Sequence, residues 1–578
     1  MVICDIIYVV AYFDINIRIL KCKKMKGEIM SKIKIFGLGG LNENGKNMYI
    51  VNVDDNIFVF DAGLKYPSSN MLGVDYIIPN FDYLKENRDK VRGIFITHGH
   101  EGNMGAISDI LKEMPDIHVY ATKFTMNLIK KELSELKIEA TNLKEIRPHS
   151  KLDVAGFSIF PIEVTHSIPE SVLYVLYTDD GAIVYATDFV FDSTMLGSYK
   201  TDIGKLAYVG KQGVLCLLCE SCYAYREGHT SPSHRIASKM WDILNNTDER
   251  IIISLYPDHI YRLQEIFDSV ARTKRKIVLM GKRLQEIVEY SIDNNYLDID
   301  KSIIGNLSNI KDNDAVIIVC DDKEKEVASL EKIINGYDKY IKLKAGDTVF
   351  ISEPVYPGNE KIISKIIDDL SRLDVEGISL SMKKHVLHHA SSEDLMQMIN
   401  LMNPKYYFPV RGEYRYQYMN ANVAELTGMN KDNILLKLNG DVAEFDNGTL
   451  VERGEHIKVD EVLIDGNKSD DIGELVLKDR QLLSKNGIVI VSATLDKKSK
   501  KILVEPQIIT RGFIYVKDNL DIIEHTEKLC KEVILDLVVP NKKVDFTGLK
   551  IKIRDVLSHY FEEVTGSVPM IITVISEI

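Results

Sequence analysis

Seven cysteines in 578 residues are too few to staple a chain of this length with disulfides, so a disulfide scaffold is excluded and a reducing, cytoplasmic setting is expected. An excess of positive charge is missing as well: 72 Lys and Arg stand against 85 Asp and Glu, a formal net charge of −13. That balance excludes a protein that coats nucleic acid through a uniformly basic surface, although it leaves room for a local basic channel. The one apolar stretch near the start, residues 1–13, carries Asp5, and its basic residues Arg18, Lys21, Lys23 and Lys24 follow it instead of preceding it. A secretory signal has the opposite polarity, and a membrane span is longer and free of carboxylates, so no membrane partner is expected. There is no internal repeat and no low-complexity segment. Only one tryptophan is present, Trp241, and it is expected to fill core.

What remains is an ordinary globular composition, 45% hydrophobic and 27% charged, long enough for about three to five domains. Residues 1–29 fit poorly with the rest. Lys26-Gly27-Glu28 would be encoded by purine-rich codons able to act as a ribosome-binding sequence just ahead of Met30. Residues 1–29 are therefore expected to be a translated leader, and its removal would shift the net charge to −15.

From Met30 onward the patterning is regular. Alternating strands are expected at 48–53 and 57–61 and again at 172–178 and 182–187, each pair closed by an Asp-rich turn. A short strand at 93–97 precedes helical spacing at 104–114. Between about 235 and 370, helical stretches (236–245, 262–272) alternate with strand-like runs (251–255, 277–279, 315–319), as βαβ units with a parallel sheet do. The tail predicts strands at 488–495, 501–506 and 570–575 and a helix at 521–538. The polar stretch 460–471 reads as a linker.

Four chemistry-bearing residues fall at expected strand ends: His98 and His100 in Thr97-His98-Gly99-His100, His166, and Asp188. Asp61 ends another strand. Imidazoles spaced i, i+2 on a loop, with a later His and Asp, can converge on a metal ion. A His-x-His pair alone fits exposed loop histidines better than a metal site; the ordered set is far more specific.

This set resembles the ribonuclease J family, in the β-CASP branch of the metallo-β-lactamase superfamily. Other segments carry the same resemblance: residues 36–48, 355–360, 390–395 and 404–406, Pro409-Val410-Arg411-Gly412-Glu413-Tyr414-Arg415, and, in the tail, 479–484 and 508–513. The likeness spans about residues 31–578. It implies an α/β fold: a metallo-β-lactamase αββα sandwich from 30–215 and 376–460, a β-CASP domain at 216–375 inserted in it, a linker at 461–475, and a small C-terminal α/β domain at 476–578. It also implies 5′–3′ exoribonuclease and endoribonuclease chemistry on RNA, run by two metal ions.

The departures from the family pattern are concentrated. In the family's His-x-His-x-Asp-His loop, the last two ligand positions are Gly102 and Asn103 here, and the His of Pro-Val-His-Gly-Glu is Arg411. His98, His100, His166 and Asp188 remain. Glycine offers no ligand, Asn is a poor one, and a guanidinium cannot give up its proton to become one. The resemblance thus implies at most one divalent metal, Zn or Mn, with the second absent, and Arg411 partly replacing its charge by pairing with Asp188 or a phosphate. The RNA and phosphate pocket that the family pattern implies would comprise Glu220, His385, His389 and Ser391. It is eroded: Asp-Ser-Thr-Asn reads Glu220-Ser221-Cys222-Tyr223, Ser-Gly-His-Ala reads Leu387-His388-His389-Ala390, and a Gly-Ser-Gln-Gly-Glu segment falls on residues 320–324 with its small residues gone.

Two weaker signals remain. Cys216, Cys219 and Cys222 have no fourth cysteine nearby and overlap an apolar strand, so they read as buried thiols instead of a cluster. The basic run 272–276 with Lys282 and Arg283 suits either the border of an RNA channel or a solvated helix end.

Three functions compete. The first is a ribonuclease J-type subunit of RNA degradation and processing, weakly active or inactive itself. It would bind RNA, pair with an active ribonuclease J paralogue, and form homo- or hetero-oligomers through its C-terminal domain. The second is a working single-metal ribonuclease on RNA 5′ ends. The third, a hydrolase of some small substrate, is disfavoured because such an enzyme needs neither the inserted nor the C-terminal domain.

Overall fold

The structure, a computed structural model, describes residues 31–68, 71–195, 197–320, 327–355, 358–381, 385, 388–466, 474–515, 518–539 and 544–578. The expected leader, Met30, residues 321–324, Tyr356, Pro357 and Leu387 lie outside them, as do 467–473 of the expected linker. The chain divides into two compact units. One runs to Tyr66, resumes at Ile78 and closes at Glu461; the other comprises Pro67–Ile77 and Val462–Ile578.

The first unit is built on two facing sheets. One has eight strands in the order Thr449–Val451, Ala443–Asp446, Lys32–Gly39, Met48–Val53, Asn56–Phe60, Val91–Phe95, Val119–Thr122 and Leu143–Ile146. The other has six: Tyr406–Val410, Val214–Glu220, Gly181–Ala186, Val172–Thr178, Phe157–Glu163 and Leu152–Val154. Strand alternation sets the packing. Tyr174 and Leu176 point between the sheets, where they meet Phe58, Phe60 and Phe95. Their neighbours Leu173 and Val175 point outward onto Leu206, Leu395 and Met398 of covering helices. Residues 443–451 return late in the sequence to extend the first sheet, so the sandwich closes around everything between.

That intervening segment forms a third, parallel sheet in the order Lys276–Met280, Ala315–Val319, Ile251–Ser254, Thr348–Pro354 and Glu376–Leu380. Leu330, Ile333, Ile363, Ile366 and Leu370 of two helices pack against it. The βαβ expectation for 235–370 therefore holds, with element ends moved by one or two residues. In the second unit, strands Ile502–Arg511, Ile488–Leu495 and Met570–Glu577 form a sheet. Helices Leu520–Leu537 and Phe546–Thr565 cover one face of it with Cys530, Ile534, Ile553, Leu557 and Phe561. The sequence reading named only the first of these helices.

Trp241 corrects an expectation: it is 44% exposed. On helix Ala237–Asn246 the buried positions are Met240, Ile243 and Leu244, at helical spacing, which leaves Trp241 outside that face. The expected linker is part strand, since Glu461–Ile464 is extended. The basic run is divided: Arg275 is buried, donating to the carbonyls of Thr247 and Glu249, whereas the Lys282 side chain is 84% exposed. Among the described residues, no helix is long and apolar enough to cross a membrane.

Candidate metal centre

Strand direction gathers the site. Asn56–Phe60 and Val91–Phe95 run parallel, as do Gly181–Ala186, Val214–Glu220 and Tyr406–Val410, so their carboxyl ends share an edge. Just past those ends the chain turns sharply. Asp61, Asp188 and Arg411 all adopt left-handed backbone conformations, with φ of 59°, 53° and 50°. Non-glycine residues held there cost on the order of 1–3 kcal/mol each, a strain that persists where surrounding contacts enforce it.

His98, His100, His166 and Asp188 are brought together, each offering a ligand atom within 4.8 Å of the others. Nδ1 of His100 lies 3.1 Å from Nε2 of both His98 and His166, and Nε2 of His98 lies 3.0 Å from Asp188. The hydrogen-bond network decides which nitrogens carry protons. His166 Nδ1–H donates to the carbonyl of His388 at 2.9 Å, leaving Nε2 bare. The Thr97 hydroxyl donates to Asp61, so it accepts from His98 Nδ1–H at 2.9 Å and leaves that Nε2 bare as well. Burial pushes His98 down to about 3, and burial with neighbouring imidazoles holds His100 and His166 well below the usual range. Neutral imidazoles are the form a metal requires. Tetrahedral coordination at bond lengths of ~2.0–2.1 Å separates ligand atoms by about 3.3 Å, close to the spacing found. Converging bare lone pairs and a carboxylate fit a divalent cation.

The other half of the centre is different. Arg411 pairs with Asp188 through Nη1. Its side chain is nearly buried, and burial lowers the guanidinium to about 10, still charged at neutral pH. Its backbone N–H donates to the Tyr49 hydroxyl at 2.9 Å. Asn103 donates to Asp61 at 2.7 Å. Asp61 also accepts from the Thr97 backbone and from Tyr185, each at 2.8 Å, so it serves as the hub that orients the loop. Gly102 has space: a Cβ there would have Gly45 Cα as its nearest neighbour, at 3.6 Å.

Of the expected pocket residues, Glu220 and His389 meet. His389 Nδ1–H donates to Glu220 at 2.8 Å and stands 3.3 Å from Asp188, while Glu220 accepts the Phe189 N–H at 2.9 Å. Ser391 instead sits at the start of helix Ser392–Met402, its hydroxyl 2.7 Å from that of Thr230 and its N–H donating to Asp394. His385 donates its backbone N–H to Ser381, and most of its loop lies outside the described residues. Cys216 and Cys219 are fully buried on strand Val214–Glu220, while Cys222 comes near Glu220 and His389. The sequence reading missed a row of buried histidines behind His166. His388 lies 3.1 Å from His259, which pairs with Glu353 at 2.9 Å, and the His234 ring centroid is 4.6 Å from that of His388. Its one sequence signal was the doublet His388-His389; its other members are scattered over distant segments.

Fold and site together define the metallo-β-lactamase architecture carrying a β-CASP insertion. Residues 58–204 match the beta-lactamase superfamily domain, 248–370 the ribonuclease J beta-CASP domain, 378–432 the Zn-dependent metallo-hydrolase RNA specificity domain, and 475–578 the ribonuclease J C-terminal domain. The chain is 37% identical over 558 residues to ribonuclease J2 of Bacillus subtilis, covering 96% of this chain and 100% of that one. It is 35% identical over 550 residues to ribonuclease J 2 of Staphylococcus saprophyticus and likewise of Staphylococcus aureus, covering 94% of this chain and 98% of each. A crystal structure of a protein of unknown function from Enterococcus faecalis shares the fold over 72% of this chain and 100% of its own, with a TM-score of 0.50 and 14% identity. The chain belongs to the ribonuclease J family.

Proposed function

We propose that the chain is a ribonuclease J-type subunit of RNA degradation and processing. It binds RNA and works beside an active ribonuclease J paralogue, while its own hydrolysis is weak or absent. One observation carries this reading: the guanidinium of Arg411 is paired to Asp188, the carboxylate that two ions would have to share. A divalent ion, Zn or Mn, has ligands in His98, His100, His166 and Asp188, and when bound supplies Lewis-acid polarisation of a phosphodiester. Among the described residues, the positions where the family pattern carries its second set of ligands supply none, because Gly102 has no donor atom, Asn103 is committed to Asp61, and Arg411 repels a cation; Glu220, Cys222 and His389 form a separate group of possible ligands. Charge stabilisation of several kcal/mol is thereby lost, a rate penalty of ~10²–10⁴-fold. Arg411 holds Asp188 through Nη1, which leaves its other N–H donors for a phosphate. His389 keeps its Nδ1 proton on Glu220, so only Nε2 is left to accept one.

The test is direct. The full chain incubated with 5′-monophosphorylated RNA and Mn²⁺ or Zn²⁺ should turn over little and bind at most one ion per chain. Robust turnover abolished by His98→Ala would sink the reading in favour of a working single-metal ribonuclease, the alternative that the preserved Glu220–His389 pair supports.

Oligomerisation through the C-terminal unit is supported by the uncovered face of its sheet. Ile509, Ile490 and Ile572 lie side by side in register across the three strands, with Ile509 and Ile572 48% and 41% exposed. An apolar row of this kind on an open sheet face suits burial against another chain. Sedimentation of the full chain as a monomer, alone and with the active paralogue, would remove this part of the proposal.

A further inference from the structure

Aromatic rings lead away from the Glu220–His389 pair in an unbroken row. The ring of Tyr223 stands edge-on to His389 with centroids 5.6 Å apart. Tyr225 follows, 5.9 Å from Tyr223, and stacks on Tyr416 at 5.0 Å with 29° between the planes. The Arg415 guanidinium covers Tyr416 at 4.5 Å from its centroid, while its Nε donates to Glu413. Two segments build the row. Tyr223 and Tyr225 follow the strand Val214–Glu220, and Arg415 and Tyr416 open the helix Tyr414–Leu426 that follows the neighbouring parallel strand. Tyr223 is 8% exposed and Tyr225 42%, Tyr416 beyond it is half-buried, and the Arg415 side chain is 57% exposed. Beside Tyr225 lies a groove of about 830 Å³, with Arg226, His229, Gln397 and Asn400 among its lining residues.

The row does not serve as core, because its middle ring is open to solvent. Tyr223 also stands where the family pattern carries Asn, so the ring beside His389 departs from that pattern. With a net charge of −13, this chain is poorly equipped to hold RNA by neutralising phosphates, the usual source of affinity. Stacking offers another source, since every base has a π face and an arginine over a ring adds a cation–π contact. We propose that Tyr223, Tyr225, Tyr416 and Arg415 form a stacking platform that carries single-stranded RNA between the site and the surface, with base edges turned toward the polar groups of the adjoining groove. The proposal rests on the RNA-binding reading given above.

Binding of an unstructured single-stranded RNA, labelled at its 3′ end, to the full chain would be followed by fluorescence anisotropy across a salt series. Tyr225→Ala and Tyr416→Ala should each weaken binding about tenfold at every salt concentration, with the salt slope unchanged. Tyr225→Phe and Tyr416→Phe should bind as the parent does, because the ring is retained. A duplex of the same sequence should not distinguish parent from alanine variants. Alanine variants that bind single strands as tightly as the parent would overturn the platform while leaving RNA binding intact, as would phenylalanine variants that lose as much as alanine. If the parent binds no RNA at all, the RNA-binding reading fails and the platform with it.

Discussion

The two halves of the centre share one carboxylate and differ in what they set against it. On one side, three neutral imidazoles and Asp188 gather ligand atoms within 4.8 Å of one another. On the other, Arg411 supplies a permanent charge to the same Asp188, and Asn103 is turned to Asp61. The first half is an arrangement that needs a cation from outside, since converging lone pairs repel one another without one. The second already holds its positive charge. The shared Asp188 and Arg411 both sit just past strand ends in a left-handed backbone state, so the scaffold that aims side chains has been kept while the chemistry it aims has changed on one side only.

The largest expected effect comes from rebuilding the changed half. Gly102→Asp, Asn103→His and Arg411→His together should raise hydrolysis of 5′-monophosphorylated RNA in Mn²⁺ by ~10²-fold or more, and Gly102 has room for the side chain. A triple variant that binds two ions yet stays inactive would show that the difference between the halves is not what limits activity. Arg411→Leu comes next. It strands the fully buried Asp188 without its charge partner, which should lower unfolding free energy by about 3–5 kcal/mol in chelator. Added Zn²⁺ should restore more stability to this variant than it adds to the parent, as read by thermal unfolding. His98→Ala should abolish the Zn²⁺-dependent rise in melting temperature while leaving the metal-free protein close to the parent. The smallest effect tests the strand that leads to His166. Burial, with Glu170 and Asp202 nearby, pushes the Glu163 carboxyl up to about 7 from 4.5. Its folded pKa lies above its unfolded one, so its contribution is present at acid pH and lost as pH rises through about 7. Glu163→Gln should therefore gain about 1 kcal/mol over the parent at pH 8 and nothing near pH 4.5.

Much of this was legible in the sequence, for reasons that particular residues make clear. Residues 172–178 and 251–254 announced themselves because alternation and short apolar runs are local properties. His98, His100, His166 and Asp188 were legible because ligand types recur in a fixed order. Trp241 was misjudged because hydrophobicity alone does not say which face of a helix turns inward. The buried row of His234, His259 and His388 was invisible because its members come from three separate segments and touch only after folding. Asp61 could be seen as a strand end, but its role as acceptor for Thr97, Asn103 and Tyr185 depends on a turn that no local pattern encodes.

Arg411 also changes how the centre answers to its surroundings. An ion held by His98, His100 and His166 comes and goes with its free concentration, and any stability it adds scales with that concentration. A guanidinium is installed when the chain is made; it cannot be chelated, exchanged for a competing metal or diluted away. Half of this centre is therefore set at translation, and its charge stays in place through metal starvation and metal excess alike.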